Sequence, residues 1–309
     1  MSILLICNHK DPAPWAEALQ KQLPSERIEI YPEIEDASSV EFILSWKAEA
    51  GIFDQFPNLR AVQSLGASVS HILDHQDLAP QIQIARIVDE RLSQDMWEYV
   101  LAVVMAHLKR LDRYQELEKE KKWHPLPYKS IRDIHISFLG LGKIGAFVAD
   151  KFSHLGFKVS GWSRTKKELE GIKTFEGEKG LIQMLERSDI LVNLLPHTAE
   201  TQALINEAFL ERLPKGAYLI NAGRGETLVE EDLLKVLDKG LLSAAYLDVF
   251  QQEPLAIDHP FWQHPKIRIS PHIASITNIE SASQQIVQNY RRLKSGEALL
   301  HSVSPQNGY

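Results

Sequence analysis

Apolar positions along the chain fall into two alternating series, joined by one long periodic stretch. Between residues 2 and 87 five short runs, SILLIC (2–7), RIEIY (27–31), VEFILSW (40–46), LRAVQSL (59–65) and IQIARI (82–87), alternate with helically spaced segments. Short apolar runs separated by helices predict a parallel sheet covered on both faces. A second series starts near residue 131: IHISFL (134–139), FKVSGW (157–162), DILVNLL (189–195), AYLINA (217–222), AAYLDVF (244–250) and KIRIS (266–270). Helical stretches lie between most of them, which is the βαβ rhythm of a doubly wound sheet. Between the series, Met96, Val100, Val103, Val104, His107, Leu108, Leu111 and Tyr114 recur at steps of three or four. That spacing predicts one long helix, N-capped by Ser93 and stopped near KEKKWHPLP (119–127) by its two prolines. Such a helix can bridge two domains and leave surface for a second subunit. The stretch 279–297 reads as one more amphipathic helix, returning to the first domain.

Bulk properties narrow the class. A chain of 309 residues favours two domains over one. With 44% hydrophobic and 24% charged residues it is an ordinary globular composition. A net charge of -7 argues against nucleic acid as the main partner, though not against a small anion held by local cations. The one cysteine, Cys7, sits in an apolar run and makes neither a disulfide framework nor a metal site. No signal-peptide pattern and no run of about 20 apolar residues is present, so the expected location is cytoplasmic, with no membrane partner.

The run ISFLGLGKIGAFVADKF places G-x-G-x-x-G at Gly140, Gly142 and Gly145, after a strand and opening a helix. In that context the glycines serve a tight turn, close approach to a pyrophosphate and helix–strand packing, with Lys143 and Ile144 in the loop's first helical turn. The free N–H groups of the helix start face the phosphates. The second strand of such a unit should end in an acid, about twenty residues on, that bonds the ribose hydroxyls of NAD. Here Ser163, Arg164, Thr165 and Lys166 stand instead. Without a carboxylate the repulsion of a 2′-phosphate is gone, and Arg164 can pair with it through two hydrogen bonds. The expected cofactor is therefore NADP(H), with NAD(H) admitted.

Three further groups lie just beyond predicted strands, where catalytic residues of such folds sit. They are Arg224 in LINAGRGE, Glu253 in LDVFQQEPL and His272 in ISPHIAS. Gly223 and Gly225 are expected to make the Arg224 turn flexible.

Together GLGKIG (140–145), NLLPHTAET (193–201), LINAGRGETLVEEDLL (219–234), LDVFQQEPL (247–255) and SPHIAS (270–275) resemble the D-isomer-specific 2-hydroxyacid dehydrogenase family over most of the chain. WSRTKK, WHPLP, FWQHP and the closing GY look like its bacterial glyoxylate/hydroxypyruvate reductase branch. The resemblance implies two doubly wound α/β domains: a Rossmann cofactor domain (96–274) inserted in a flavodoxin-like substrate domain (1–95 with 275–309), and a cleft between them. It implies reduction of a small 2-oxo acid by hydride transfer from a nicotinamide. Arg224 would bind the substrate carboxylate and polarise the ketone. His272 would protonate the developing alkoxide, and Glu253 would hold the imidazole. Asp248, Asn193, Pro196, Thr198, Ala222 and Gly223 match positions lining the cofactor. Trp46, Leu65, Gly66 and Ala67 match the substrate wall, where the family's G-A-G-V-D loop reads Gly66, Ala67, Ser68, Val69, Ser70. A serine at position 68 would be strained if that position needs positive φ. Arg86 is open between an anion contact and a salt bridge, and Trp123 between ordinary packing and a neighbouring subunit's site. The implied assembly is a homodimer with no bound metal. Two rivals remain: a same-fold dehydrogenase of another 2-oxo acid, and a dinucleotide-sensing, corepressor-like binding protein without turnover.

Overall fold

The computed structural model describes residues 2–8, 11–73, 75 and 78–303; the closing GY and the Ser70 side chain lie outside that description. The chain divides into two compact units, Met1–Leu92 with Thr277–Tyr309, and Ser93–Ile276.

The first unit is built on a five-stranded sheet in the order β2-β1-β3-β4-β5. Its strands are β1 (Ser2–Cys7), β2 (Arg27–Ile30), β3 (Val40–Trp46), β4 (Ala61–Ser64) and β5 (Gln83–Ala85), and all pair in parallel. One face buries Leu4, Ile6, Ile43, Val62 and Ile84 against Phe53, Phe56, Val69 and Ile72. Helix α1 (Ala13–Gln22) and the late helix of 279–294 pack together, and Tyr290 of the latter meets Phe42 of β3 at 6.2 Å between ring centres. A short helix, α2 (Ser70–Leu73), follows the loop after β4.

The second unit carries a seven-stranded sheet in the order β12-β11-β10-β9-β6-β7-β8. These are β6 (His135–Leu139), β7 (Lys158–Trp162), β8 (Lys173–Phe175), β9 (Ile190–Asn193), β10 (Ala217–Asn221), β11 (Leu242–Leu247) and β12 (Ile267–Ile269). Every pairing is parallel. Side chains alternate across a strand, so Ile190 and Val192 of β9 face one core while Leu191 faces the other. Tyr218 and Ile220 of β10 divide from Leu219 in the same way. Helices α3 (Glu90–Leu108) and α5 (Lys143–His154) cover the first face. The second is covered by α6 (Gly177–Leu185), α7 (Glu207–Leu210) and α8 (Glu230–Asp238). The strand order reverses between β6 and β9, which places the Gly140 turn and the loop after Asn193 at the switch point, where such sheets bind ligands.

Three local expectations change. The long helix starts at Glu90, not Ser93: Asp89 Oδ1 accepts the Arg91 N–H at 2.9 Å, and Ser93 is buried inside the helix. It also breaks, because Arg110 takes the left-handed conformation (φ 58°) before α4 (Leu111–Lys119) begins. The apolar periodicity runs on past the break, but Leu111 and Tyr114 are 51% and 37% exposed and no longer pack a core. Strand β8 has no counterpart in the sequence pattern, since its three residues form no apolar run. The helix of Ile279–Lys294, α9, begins with an Asn278 side-chain cap on Ser281.

Candidate active site

The glycine loop leaves β6 with Gly140 at φ 95°, its N–H bonded to Trp162 O at 2.9 Å. A Cβ on Gly145 would lie 1.8 Å from Gly140 O, so helix and turn touch backbone to backbone there. A Cβ on Gly142 would meet nothing within 4 Å. Gly142 is also the N-cap of α5, a twelve-residue helix with no side-chain cap, and Gly142 and Lys143 are exposed. Open space in front of uncapped N–H groups fits a pyrophosphate.

The basic turn after β7 is more structured than its charge suggests. Ser163 is buried and its hydroxyl donates to Thr165 O at 2.7 Å, so it is spent within the turn. Arg164, Thr165 and Lys166 are exposed. Arg164 Nη1 pairs with Glu200 Oε2 at 3.3 Å, and Lys166 lies 4.0 Å from Glu168. Glu200 belongs to the loop after β9, whose shape is set by Thr201. Its hydroxyl donates to Pro196 O at 2.6 Å and accepts the Thr198 N–H at 2.9 Å. Thr201 closes the motif NLLPHTAET without being singled out there, yet it holds both Pro196 and Thr198.

Asn193, Ala222 and Gly223 occupy the roots of the loops after β9 and β10. Both polar groups of the Asn193 side chain are used: Nδ2 donates to Asn221 Oδ1 (2.9 Å) and Thr227 Oγ1 (2.8 Å), and Oδ1 accepts the Leu195 N–H (3.2 Å). Thr227 in turn donates to Arg224 O at 2.6 Å. This network fixes the Arg224 turn, and the glycines beside it are sites of contact, not of flexibility. A Cβ on Gly225 would fall 1.9 Å from Phe250 C, and one on Gly223 2.7 Å from Leu195 O. The expectation of a flexible turn is therefore corrected: glycine is needed so that this loop can lie against the loop after β11. The Arg224 guanidinium is partly buried, and Nη1 donates to Gly223 O at 2.6 Å. Burial pulls its pKa down, while Glu226 and Glu253 hold it up; an arginine stays charged under such a shift.

His272 follows β12 in a left-handed conformation, φ 56°. Its ring Nδ1 lies 2.8 Å from Glu253 Oε2, and Glu253 Oε1 accepts the Phe250 N–H at 3.2 Å. The imidazole and carboxylate side chains are 36% and 21% exposed. Among the described residues nothing hydrogen-bonds to Nε2, so one ring nitrogen is held and the other is presented. Glu253 thus lies against His272 and close enough to Arg224 to act on its charge. Asp248 is buried and committed to the same turn: it accepts from Ser270 Oγ (2.6 Å), Ile273 N–H (2.9 Å) and Ala274 N–H (2.8 Å).

In the first unit the loop after β4 folds on Ser64. That hydroxyl donates to Ser68 O at 2.6 Å and accepts the Gly66 N–H at 3.1 Å. The Leu65 N–H goes to Ser45 O. Among the described residues the Ala67 N–H has no acceptor, while the Leu65 and Gly66 N–H groups are used within the fold. Neither Gly66 nor Ser68 has positive φ, and the expected strain at Ser68 does not arise. Gly66 is needed for another reason: a Cβ there would lie 2.6 Å from the Trp46 ring. Trp46 also packs on His71, with ring centres 5.3 Å apart. Arg86 Nη1 donates to Ala67 O at 3.4 Å. Trp123 is fully exposed.

A glycine turn at the switch point of a Rossmann sheet, with an arginine and a Glu–His pair on successive strand-end loops, defines a nicotinamide-dependent oxidoreductase. The chain belongs to the D-isomer-specific 2-hydroxyacid dehydrogenase family: residues 101–274 match the family model for its NAD binding domain. It is 36% identical over 300 residues to a glyoxylate/hydroxypyruvate reductase A of Yersinia enterocolitica, covering 96% of each chain. Among solved structures, a D-isomer specific 2-hydroxyacid dehydrogenase from Xanthobacter autotrophicus in complex with NADPH and MES superposes with a TM-score of 0.94. That pair shares 36% identity over 100% of this chain and 99% of the other. An NADPH-dependent glyoxylate/hydroxypyruvate reductase from Sinorhizobium meliloti, in complex with NADP and sulfate, gives 0.93 at 33% identity over 100% of both. The protein is thus an NAD(P)-dependent 2-hydroxyacid dehydrogenase.

Proposed function

We propose that the protein reduces small 2-oxo acids, glyoxylate and hydroxypyruvate, to glycolate and D-glycerate, preferring NADPH to NADH. The observation that carries this reading is the His272–Glu253 pair at 2.8 Å, with Nε2 unbonded among the described residues, acting beside a partly buried and charged Arg224. The relatives named as glyoxylate/hydroxypyruvate reductases, and the solved ones holding NADPH or NADP, support the choice of substrate and cofactor.

The reduced nicotinamide, when bound, supplies a hydride to the substrate carbonyl carbon. The residues do the rest. Arg224 bonds the substrate carboxylate and draws charge onto the ketone oxygen. His272 delivers the proton from Nε2 to that oxygen, so that one proton and one hydride turn C=O into CH–OH. Glu253 fixes the ring through Nδ1, which leaves Nε2 as the working nitrogen. Gly140, Gly142 and the N–H groups of α5, near Lys143 and Ile144, hold the pyrophosphate. Arg164, aided by Thr165 and Lys166, takes the 2′-phosphate. In the first unit the same reading gives the Ala67 N–H to an anionic group, with Trp46 behind the loop.

The reading includes a homodimer. Leu111, Tyr114, Trp123 and Tyr128 are exposed within one stretch of chain, and a second copy covering that stretch is the contact this reading assigns to them.

The test is a steady-state comparison of glyoxylate, hydroxypyruvate, pyruvate and branched 2-oxo acids with NADPH and NADH. Fastest turnover on the two small substrates with NADPH is expected. Tight dinucleotide binding without turnover of any 2-oxo acid points to the binding-protein alternative. A His272→Asn variant with unchanged kcat removes the histidine from the role of proton donor.

A further inference from the structure

A partly buried chain of polar groups runs to the back of the His272 turn, and it includes two residues, Tyr99 and Ser270, with no part in the reaction proposed above. Ser270 Oγ donates its one proton to Asp248 Oδ1 at 2.6 Å. Tyr99 O–H lies 2.5 Å from the same Ser270 oxygen. Because the serine proton is already committed, Tyr99 is the donor in that contact. Burial pushes the Tyr99 phenol pKa far up, so the group keeps its proton. Its ring stands edge-on to Tyr246, with centres 6.0 Å apart. At the other end, Asp248 gathers the turn. Its backbone oxygen takes the His272 N–H at 2.8 Å, and its carboxylate takes the N–H groups of Ile273 and Ala274.

His272 needs that support. A non-glycine residue at φ 56° persists where its surroundings over-determine it. Three successive N–H groups end on Asp248, and the rotamer of Asp248 is set in turn by Ser270. A hydroxyl donor to a carboxylate is a strong bond, and a chain of such bonds reinforces itself. Tyr99 lies on α3, whose first residues, Glu90–Leu92, belong to the first unit and whose remainder belongs to the second.

We propose that Tyr99 and Ser270 are positioning residues for His272: through Asp248 they hold the left-handed turn that aims Nε2, and they tie that turn to α3. The proposal rests on His272 being the proton donor. A shift of about 1 Å in such a group costs on the order of a hundredfold in rate, so a loosened turn lowers kcat while the glycine loop, the basic turn and Arg224 stay as they are.

Four variants of the full-length protein test this: Tyr99→Phe, Ser270→Ala, Ser270→Thr and His272→Asn, assayed with NADPH and glyoxylate. Ser270→Ala is expected to lower kcat about tenfold and Tyr99→Phe several-fold, against the hundredfold ceiling for misplacement. KM for glyoxylate and Kd for NADPH should stay within about twofold, on the ground that uniform binding is untouched. Ser270→Thr, which keeps the hydroxyl, should restore kcat. Amide exchange at residues 272–274 should quicken in Ser270→Ala. Unchanged kcat in both Tyr99→Phe and Ser270→Ala overturns the proposal if His272→Asn abolishes turnover. So does a parallel loss of NADPH affinity and thermal stability that Ser270→Thr leaves unrepaired, since that marks a general structural role. If His272→Asn itself turns over normally, the reading of His272 fails first, and the positioning role falls with it.

Discussion

Arg164 shows how one residue's surroundings set a selectivity. Its guanidinium is within reach of a 2′-phosphate under the proposed reading, but in this structure it faces Glu200 at 3.3 Å, and both side chains are well exposed. An exposed ion pair of this kind is worth about 0.2–1 kcal/mol and is easily exchanged for a better anion. The carboxylate nevertheless competes for the arginine and adds a like charge beside the phosphate. Replacing Arg164 by alanine should weaken NADPH by about tenfold or more, the scale of a hydrogen bond to a charged group, while NADH changes little. Replacing Glu200 by glutamine should move the other way and tighten NADPH by up to about fivefold, the scale of the pair it removes. Fluorescence titration of both cofactors gives the four constants. Equal losses of NADPH and NADH in Arg164→Ala would take the 2′-phosphate away from this turn. An unchanged NADPH constant in Glu200→Gln would leave Arg164 in place and remove Glu200 from any part in selectivity.

Elements carry two further predictions. In the turn that opens α5 the glycines differ in what they do. Gly145→Ala places a Cβ 1.8 Å from Gly140 O; overpacking of this kind costs about 1–3 kcal/mol or more, so the melting temperature should fall. Gly142→Ala meets nothing within 4 Å among the described residues, so the melting temperature should hold while dinucleotide affinity drops, because the added methyl fills the space proposed for the pyrophosphate. A Gly142→Ala variant that binds NADPH normally would refute that use of the space. In α3, His107 stacks on Tyr218 with ring centres 3.8 Å apart and planes at 7°. Burial lowers its pKa to about 4, helped by Arg110 and Lys129 and opposed by Asp112. A histidine whose folded pKa lies below its ordinary 6.5 is neutral when folded, and the unfolded chain binds more protons between those values. Its contribution is therefore complete above pH 6.5 and lost as pH falls toward 4, about 3 kcal/mol at most from the size of the shift. His107→Phe keeps an aromatic stack without the titration, so its melting temperature should fall less steeply than the parent's between those pH values. Identical slopes would show that His107 does not titrate on unfolding.

At the scale of the whole molecule, what the sequence made legible follows from burial. Strands of a parallel sheet are covered on both faces, so runs such as DILVNLL announce themselves. The three-residue β8 does not, and the break at Arg110 has neither glycine nor proline to mark it. In the candidate site, motif spacing exposes Arg224, Glu253 and His272, but not the hydroxyls that hold them. Tyr99 meets Ser270 across 171 residues, and Ser64 closes a loop by its own turn; a lone serine or tyrosine has no period to betray it. The same blindness applies to surface that folding leaves bare. Single exposed apolar residues are ordinary, yet four of the nine large ones among the described residues, Leu111, Tyr114, Trp123 and Tyr128, fall between residues 111 and 128. Tyr128 has Lys109 over its ring at 4.1 Å and remains 67% exposed. The segment turns back on α4, where Tyr114 O–H accepts the Leu126 N–H at 2.8 Å, so it presents a formed surface and not a loose tail. A second copy of the chain is the cover proposed for it, and light scattering on a size-exclusion column should return twice the chain mass. A Leu111→Glu, Trp123→Glu variant would bury unpaired charge in that interface, a cost of several kcal/mol per ion, and should elute as a monomer with its far-ultraviolet spectrum intact. A parent protein that is monomeric at micromolar concentration, or a double variant that remains dimeric, would place the interface elsewhere or remove it.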